Sequence, residues 1–233
     1  MQTISQPTTL KPINQNTSGT SNTAIGFSAG TLSITGTFNT FLGNQTTIGS
    51  SQVTNSTAIG NSAIVDAGNK IVLGNTSITS IQGQVNFTAF SDGRVKDDVE
   101  ENIPGLSFIR QLRPVSYHYN VNKENAILGV NSKLDWEGKY AIEQIRFSGF
   151  IAQEVDAAAT KIGYNFSGLD KSGQLLGLRY AEFVVPIVKS VQELDNENKA
   201  LKLKVDSLEN VLSQQQKEFE LLLKRIEQLE SVK

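Results

Sequence analysis

Ser91 and Lys96 stand five positions apart in the segment Ser91-Asp92-Gly93-Arg94-Val95-Lys96-Asp97-Asp98-Val99. A serine hydroxyl is a weak nucleophile until a base takes its proton, and a lysine amine can do so only when neutral. A desolvated site that lowers the amine's pKa would supply that form. The same residues also suit a plainer role. Ser, Asp and Gly after a strand make turns and helix N-caps, and a lysine is ordinarily solvated. Residue types close most other routes. There is no cysteine and one histidine, His118, which excludes disulfides, thiolate nucleophiles and metal sites built from thiolates or histidine clusters. No cofactor and no metal are expected. A Ser-His-Asp triad would rest on His118 alone, which lies between Tyr117 and Tyr119 and reads as a packed or surface residue of a strand. Gln153 and Glu154 read as first-turn residues that complement a helix dipole.

The elements that must position Ser91 differ sharply on its two sides. Of 21 basic and 23 acidic residues, only Lys11, Asp66 and Lys70 precede it. A formal net charge of −2 offers no electrostatic reason for a nucleic-acid or membrane-surface partner. No apolar run is long enough to insert in a bilayer, and the first residues lack the basic and apolar regions of a leader.

In the uncharged half a short phrase returns: Asn22-Thr-Ala-Ile-Gly26, Asn39-Thr-Phe-Leu-Gly43, Ser56-Thr-Ala-Ile-Gly60 and a weaker Lys70-Ile-Val-Leu-Gly74. The apolar residue before each Gly falls at 25, 42, 59 and 73, so the spacings are 17, 17 and 14. Each unit offers one short strand, a Gly able to take positive φ, and Thr/Ser/Asn-rich turn material. Such a unit is too small to bury its own apolar face, so coils must stack or pack on neighbouring chains. Identical side chains then lie close together, which disfavours charge. Residues 1–19 read as a flexible lead-in, 20–75 as a parallel β-roll, and 76–90 as a β neck on the strength of alternating apolar and polar positions.

Beyond Ser91, residues 91–183 read as a small α+β domain. Asn120–Arg146 is polar and irregular there, with a variable loop around Asn131–Gly138. From residue 184 to 233 a heptad register runs to the end of the sequence. Its a positions are Val184, Val191, Asn198, Val205, Leu212, Phe219 and Ile226, and its d positions are Ile187, Leu194, Leu201, Leu208, Gln215, Leu222 and Leu229. This is a coiled coil. β-Branched a residues with Leu at d favour two strands, whereas Gln215, Phe219 and the preceding segments argue for three.

Residues 20–75 resemble the head repeats of trimeric autotransporter adhesins. The opening Ser91-Asp92-Gly93-Arg94-Val95-Lys96 resembles that of the intramolecular chaperone domain of phage tailspikes and tail fibres, peptidase family S74. Three further phrases follow in order: Asn102–Tyr119, Gly149–Val155 and Leu178–Leu194. The resemblance implies a homotrimer in which residues 91–183 guide the preceding β-fibre into register and then cut themselves off. The cut falls between Phe90 and Ser91, with Ser91 as nucleophile, Lys96 as general base, and Asp92 and Arg94 as positioning residues. It implies a virion tail fibre whose partners are its own copies and a host-cell receptor or glycan. A permanent, non-cleaving structural fibre and a bacterial surface adhesin are the alternatives.

Overall fold

The computed structural model describes residues 13, 15–49, 52–129 and 137–230. It is mixed α+β, with small sheets and one long C-terminal helix. The chain divides into two compact units, Met1–Val99 with Leu112–Tyr180, and Glu100–Gln111 with Ala181–Lys233.

In the first unit each copy of the repeated phrase becomes a strand. The four copies are β1 (Thr23–Ile25), β2 (Thr40–Leu42), β4 (Thr57–Ile59) and β6 (Ile71–Leu73), and two further short strands, β3 (Thr47–Ile48) and β5 (Ile64–Val65), lie between them. They pair in parallel as β1-β2-β4-β6 and β3-β5. The register is the repeat itself: Ala24 faces Phe41, Phe41 faces Ala58, and Ala58 faces Val72. Gly26, Gly43 and Gly60 close the strands at φ 134°, 137° and 115°, where a side chain has no comfortable conformation. A Cβ on Gly43 would also lie 2.6 Å from the Gly60 carbonyl oxygen.

Stacking turns the central residue of each three-residue strand inward. Phe41 and Ala58 join Ala29, Ile48, Val53, Ala63 and Val65 in one core, with Ala24 and Val72 packed against it. The residue before each Gly points the other way, since successive side chains alternate across a strand. Ile25, Leu42, Ile59 and Leu73 are therefore exposed in a row. Asparagines tie coil to coil: Asn39 N donates to Asn22 Oδ1 at 2.9 Å, and Ser56 N donates to Asn39 Oδ1 at 3.0 Å.

Residues 76–90, expected as a β neck, carry no strand. Alternation makes a strand only where another strand accepts its hydrogen bonds, and among the described residues none pairs with this segment. Residues 78–102 are exposed throughout.

The rest of the unit is built on one antiparallel pair, β7 (Val115–Tyr117) with β8 (Phe147–Gly149). The stretch read as irregular contains helix α2 (Val121–Leu128). The Asn120 side chain caps it by accepting from Lys123 N, and Gly129 ends it in the left-handed conformation. Both are ordinary helix punctuation; the polar sequence between them hid the short apolar stripe. The variable loop expected around 131–138 lies mostly outside the described residues. Helix α3 (Ala152–Lys161) follows, then the hairpin β9 (Leu169–Asp170) and β10 (Gly177–Leu178).

In the second unit the short helix α1 (Leu106–Ile109) lies against α4 (Val184–Glu230). Leu106 N donates to Glu193 Oε2 at 2.7 Å, which satisfies one orphan donor of the α1 start. Gly105 has no room for a side chain, because a Cβ there would lie 2.5 Å from the same Glu193 oxygen and 2.8 Å from Ser190 N. Phe108, Phe183 and Pro186 fill the contact. Beyond it α4, 47 residues long, extends for about 70 Å in total. Its seam residues Val191, Leu194, Leu201, Val205, Leu208, Leu212, Phe219, Leu222 and Ile226 are all exposed.

Two outcomes follow. Gly43→Ala forces a side chain into a glycine-only conformation and should destabilise the repeats by about 2 kcal/mol or more, read as a lower unfolding midpoint by circular dichroism. Burial pushes the Glu124 carboxyl on α2 above its ordinary value. The folded state therefore holds that proton more tightly than the unfolded chain, and stability falls as pH rises through this window. Glu124→Gln should raise the melting temperature at pH near 7, and the gain should vanish below the ordinary glutamate range.

Candidate active site

Local turn chemistry assembles the site. Asp92 is the N-cap of a single 3-10 turn, Gly93–Val95, and its Oδ1 accepts from Arg94 N at 2.9 Å. The turn closes when Lys96 N donates to Gly93 O at 3.3 Å. That curl returns residue 96 to residue 91. Lys96 Nζ donates to Ser91 Oγ at 2.7 Å.

Asp92 and Arg94 engage each other, not the reacting groups. The Arg94 guanidinium grips the Asp92 carboxylate through Nε at 3.1 Å and Nη2 at 2.6 Å. The Arg94 side chain, then the Arg94 amide, hold the Asp92 carboxyl below the usual carboxylate range. Asp92 in turn holds the guanidinium more firmly protonated. The pair braces the turn that carries Lys96.

A nucleophile within hydrogen-bond reach of an amine is the geometry that acyl transfer to serine requires. What the single chain does not provide is a dry environment. Ser91 through Val99 are exposed, and Phe90, whose carbonyl lies next to Ser91, is 101% exposed.

The remaining sequence-predicted residues lie apart from this turn. His118 follows β7, and its Nδ1 lies 2.8 Å from the Glu143 carbonyl oxygen, so its ring fixes the chain between β7 and α2. Gln153 is exposed on the first turn of α3. Glu154, in the same turn, forms a two-pronged pair with Arg113, which ties α3 to the segment before β7.

Sequence reasoning missed the aromatic group around β7 and β8. Tyr117 stacks on Phe147, and Tyr119 meets both edge-on. The Tyr119 hydroxyl, 3.4 Å away, together with burial, pushes Tyr117 up to about 12. Phe150 N donates to the Tyr180 hydroxyl at 3.1 Å, and Gly149 leaves room for that hydroxyl, which a Cβ would approach to 2.1 Å. The only sequence signal was a Gly next to aromatic residues.

Residues 91–164 match the family described as chaperone of endosialidase, which also carries a peptidase designation. The match begins at Ser91. No curated protein matches the chain.

If Asp92 holds the turn, Asp92→Ala should speed exchange of the Arg94 amide hydrogen several-fold, measured by hydrogen–deuterium exchange, with Asp92→Asn intermediate because it keeps an acceptor oxygen.

Proposed function

We propose, from the family match that begins at Ser91, that this chain is the C-terminal part of a homotrimeric fibre and that residues 91–183 are its self-releasing assembly chaperone. The observation that carries this reading is the 2.7 Å contact between Lys96 Nζ and Ser91 Oγ, at the first residue of the matched segment and next to the Phe90 carbonyl. In this reading Lys96, once neutral, removes the Ser91 hydroxyl proton while Oγ attacks the Phe90 carbonyl carbon. The tetrahedral intermediate collapses by breaking the Phe90–Ser91 C–N bond, and the proton passes from Lys96 to the departing Ser91 amine. An ester between Phe90 and Ser91 Oγ remains. Water hydrolyses it to a Phe90 carboxylate and a free Ser91 hydroxyl. One turnover ends the enzyme's work.

Exposure of the site in one chain supports gating by assembly. Lys96 needs desolvation to act as a base, and neighbouring copies are the natural source of it. Each chain carries three exposed apolar surfaces: the row Ile25, Leu42, Ile59 and Leu73; the segment with Ile81, Val85, Phe87, Phe90, Val95 and Val99; and the α4 seam. Parallel, in-register packing of α4 suits its flanking charges. Glu197 at g is followed five residues later by Lys202 at e, and Lys204 at g by Glu209 at e, the spacing of interhelical pairs in parallel coils. The β neck would form here too, from residues 76–90 of three chains.

The chaperone logic is one of effective concentration. Parallel coils in three chains require long-range contacts that nucleate slowly. A helical clamp makes the search for register intramolecular. Cleavage then leaves the fibre behind its unfolding barrier.

The match to a phage-type chaperone supports a virion or extracellular location. Among the described residues no helix is long and apolar enough to cross a membrane. The exposed Thr, Asn and Gln of the repeats suit a host receptor or glycan.

Mass spectrometry of the expressed chain tests the reading. Two fragments are expected, ending at Phe90 and beginning at Ser91, absent from Ser91→Ala and Lys96→Ala. Sedimentation should give a trimer before the cut. Diluting the refolding chain should slow cleavage, and replacing Leu201 and Leu208 by Asp should abolish it while Ser91 and Lys96 remain. An intact wild-type trimer would leave a permanent structural fibre, and a dimer would overturn the trimer.

A further inference from the structure

Only two described residues before Ser91 are charged, Asp66 and Lys70. Both lie in the corner between β5 and β6, within the one spacing that is 14 residues instead of 17. The parallel register shows what they replace. Asp66 follows Val65, which pairs with Ile48, so it occupies the place held one coil earlier by Gly49. Lys70 occupies the place of Asn22, Asn39 and Ser56, each the residue before its strand. Asn22 and Asn39 use that place to accept an amide from the following coil. A lysine ammonium cannot accept; it can only donate or pair.

Both charges meet the β9–β10 hairpin. Lys70 Nζ lies 3.2 Å from Asp66 Oδ1 and 3.7 Å from Asp170 Oδ2. Asp66 Oδ2 accepts from Gln174 N at 3.1 Å. Asp170 is held in place by Ser172, whose hydroxyl and amide both donate to Oδ1, and by Arg179 at 3.5 Å. Gly173 passes so close that a Cβ would lie 2.0 Å from Asp66 Oδ2. The Lys70, Asp66 and Asp170 side chains are only 21%, 13% and 22% exposed, so these pairs are screened less than free surface pairs.

We propose that the β9–β10 hairpin is a detachable charged cap for the last coil of the repeat stack, and that it keeps the two halves of the chain associated after the bond between them is cut. A stack of identical coils presents unpaired groups at its end and needs a terminal unit of different chemistry. Here the chaperone half supplies it in polar form. Release of the fibre is thus a second step after peptide hydrolysis, in which salt loosens the ion pairs and the neutral bonds from Thr76 Oγ1 to Lys139 O and from Ser77 Oγ to Glu137 O part with them. The release step rests on the self-cleavage reading; the capping contact does not.

The test separates them. Wild-type chain is allowed to cleave, and in parallel a Ser91→Ala chain carrying a site-specific protease sequence between Gln82 and Val85 is cut by that protease. Both products are run by size exclusion in about 0.1 M and about 1 M salt, where the screening length falls from about 10 Å to about 3 Å. The cap requires that the halves co-elute at the lower salt and part at the higher. Lys70→Met and Asp170→Asn should each weaken the low-salt association about tenfold, with unchanged circular dichroism of the uncut chain as the folding control. Halves that part at low salt, or that stay together at high salt and in both variants, overturn the cap. If only the engineered cut yields fragments and they behave as required, the cap stands and self-cleavage fails.

Discussion

The chain carries more exposed apolar surface than a single copy can cover, on the α4 seam, on the repeats and between residues 78 and 99. The α4 seam alone presents nine or more large apolar side chains to solvent over a helix of 47 residues. At about 25 cal/mol per Å2 of apolar area removed from water, such a stripe is a strong drive to associate and a poor basis for an isolated helix. The repeats are subject to the same rule on a different period. Alternation across each three-residue strand turns the central residue inward, fully buried at Phe41 and Ala58 and partly at Ala24 and Val72, and turns the residue before Gly outward. Half of the apolar pattern thus serves the coil stack, and the other half stays exposed in the single chain.

The candidate site follows the same constraint. Its geometry is local, set by the Asp92 cap and the Arg94 brace within six residues. On the proposed reading its chemistry is not local, because activation of a serine by an amine needs a desolvated setting, and Ser91 to Val99 are exposed. On the proposed self-cleavage, separating geometry from desolvation suits a site that acts once and late. A site formed early but left wet would stay silent until packing dried it, so the cut would follow assembly.

Much of this was legible in the sequence where a physical rule acts over short range. The strand, Gly and turn of each repeat appear at the predicted residues, since a positive-φ corner and a 17-residue spacing leave few alternatives. The heptads mark α4 from its first residue. The Ser91–Lys96 contact follows from one turn. Legibility failed where a partner decides the outcome. Residues 76–90 have the alternation of a strand and none of its pairing, because periodicity describes a surface and a ladder needs a second strand. Helix α2 was missed because its inner face is short, with Val121 and Asn125 as its buried residues, too few for a periodic signal. The Tyr117, Tyr119, Tyr180 and Gly149 group depends on chain segments brought together only in the fold.

The distribution of charge has a physical cause that links these levels. In a parallel stack, side chains in equivalent positions lie about 4.8 Å apart, and like charges at that distance repel by about 1 kcal/mol in water and about 3 kcal/mol at an effective dielectric of 20. A repeat can therefore afford no charge at an interior rung. An end rung faces something other than its own copy. Asp66 and Lys70 stand at the last one, opposite Asp170 and Gln174. The same repulsion that empties the interior rungs of charge thus permits charge there. On the proposed capping, that is where the repeats meet a different surface. An apolar contact would be the stronger glue, whereas a polar one could be exchanged for water once the bond between the halves was cut.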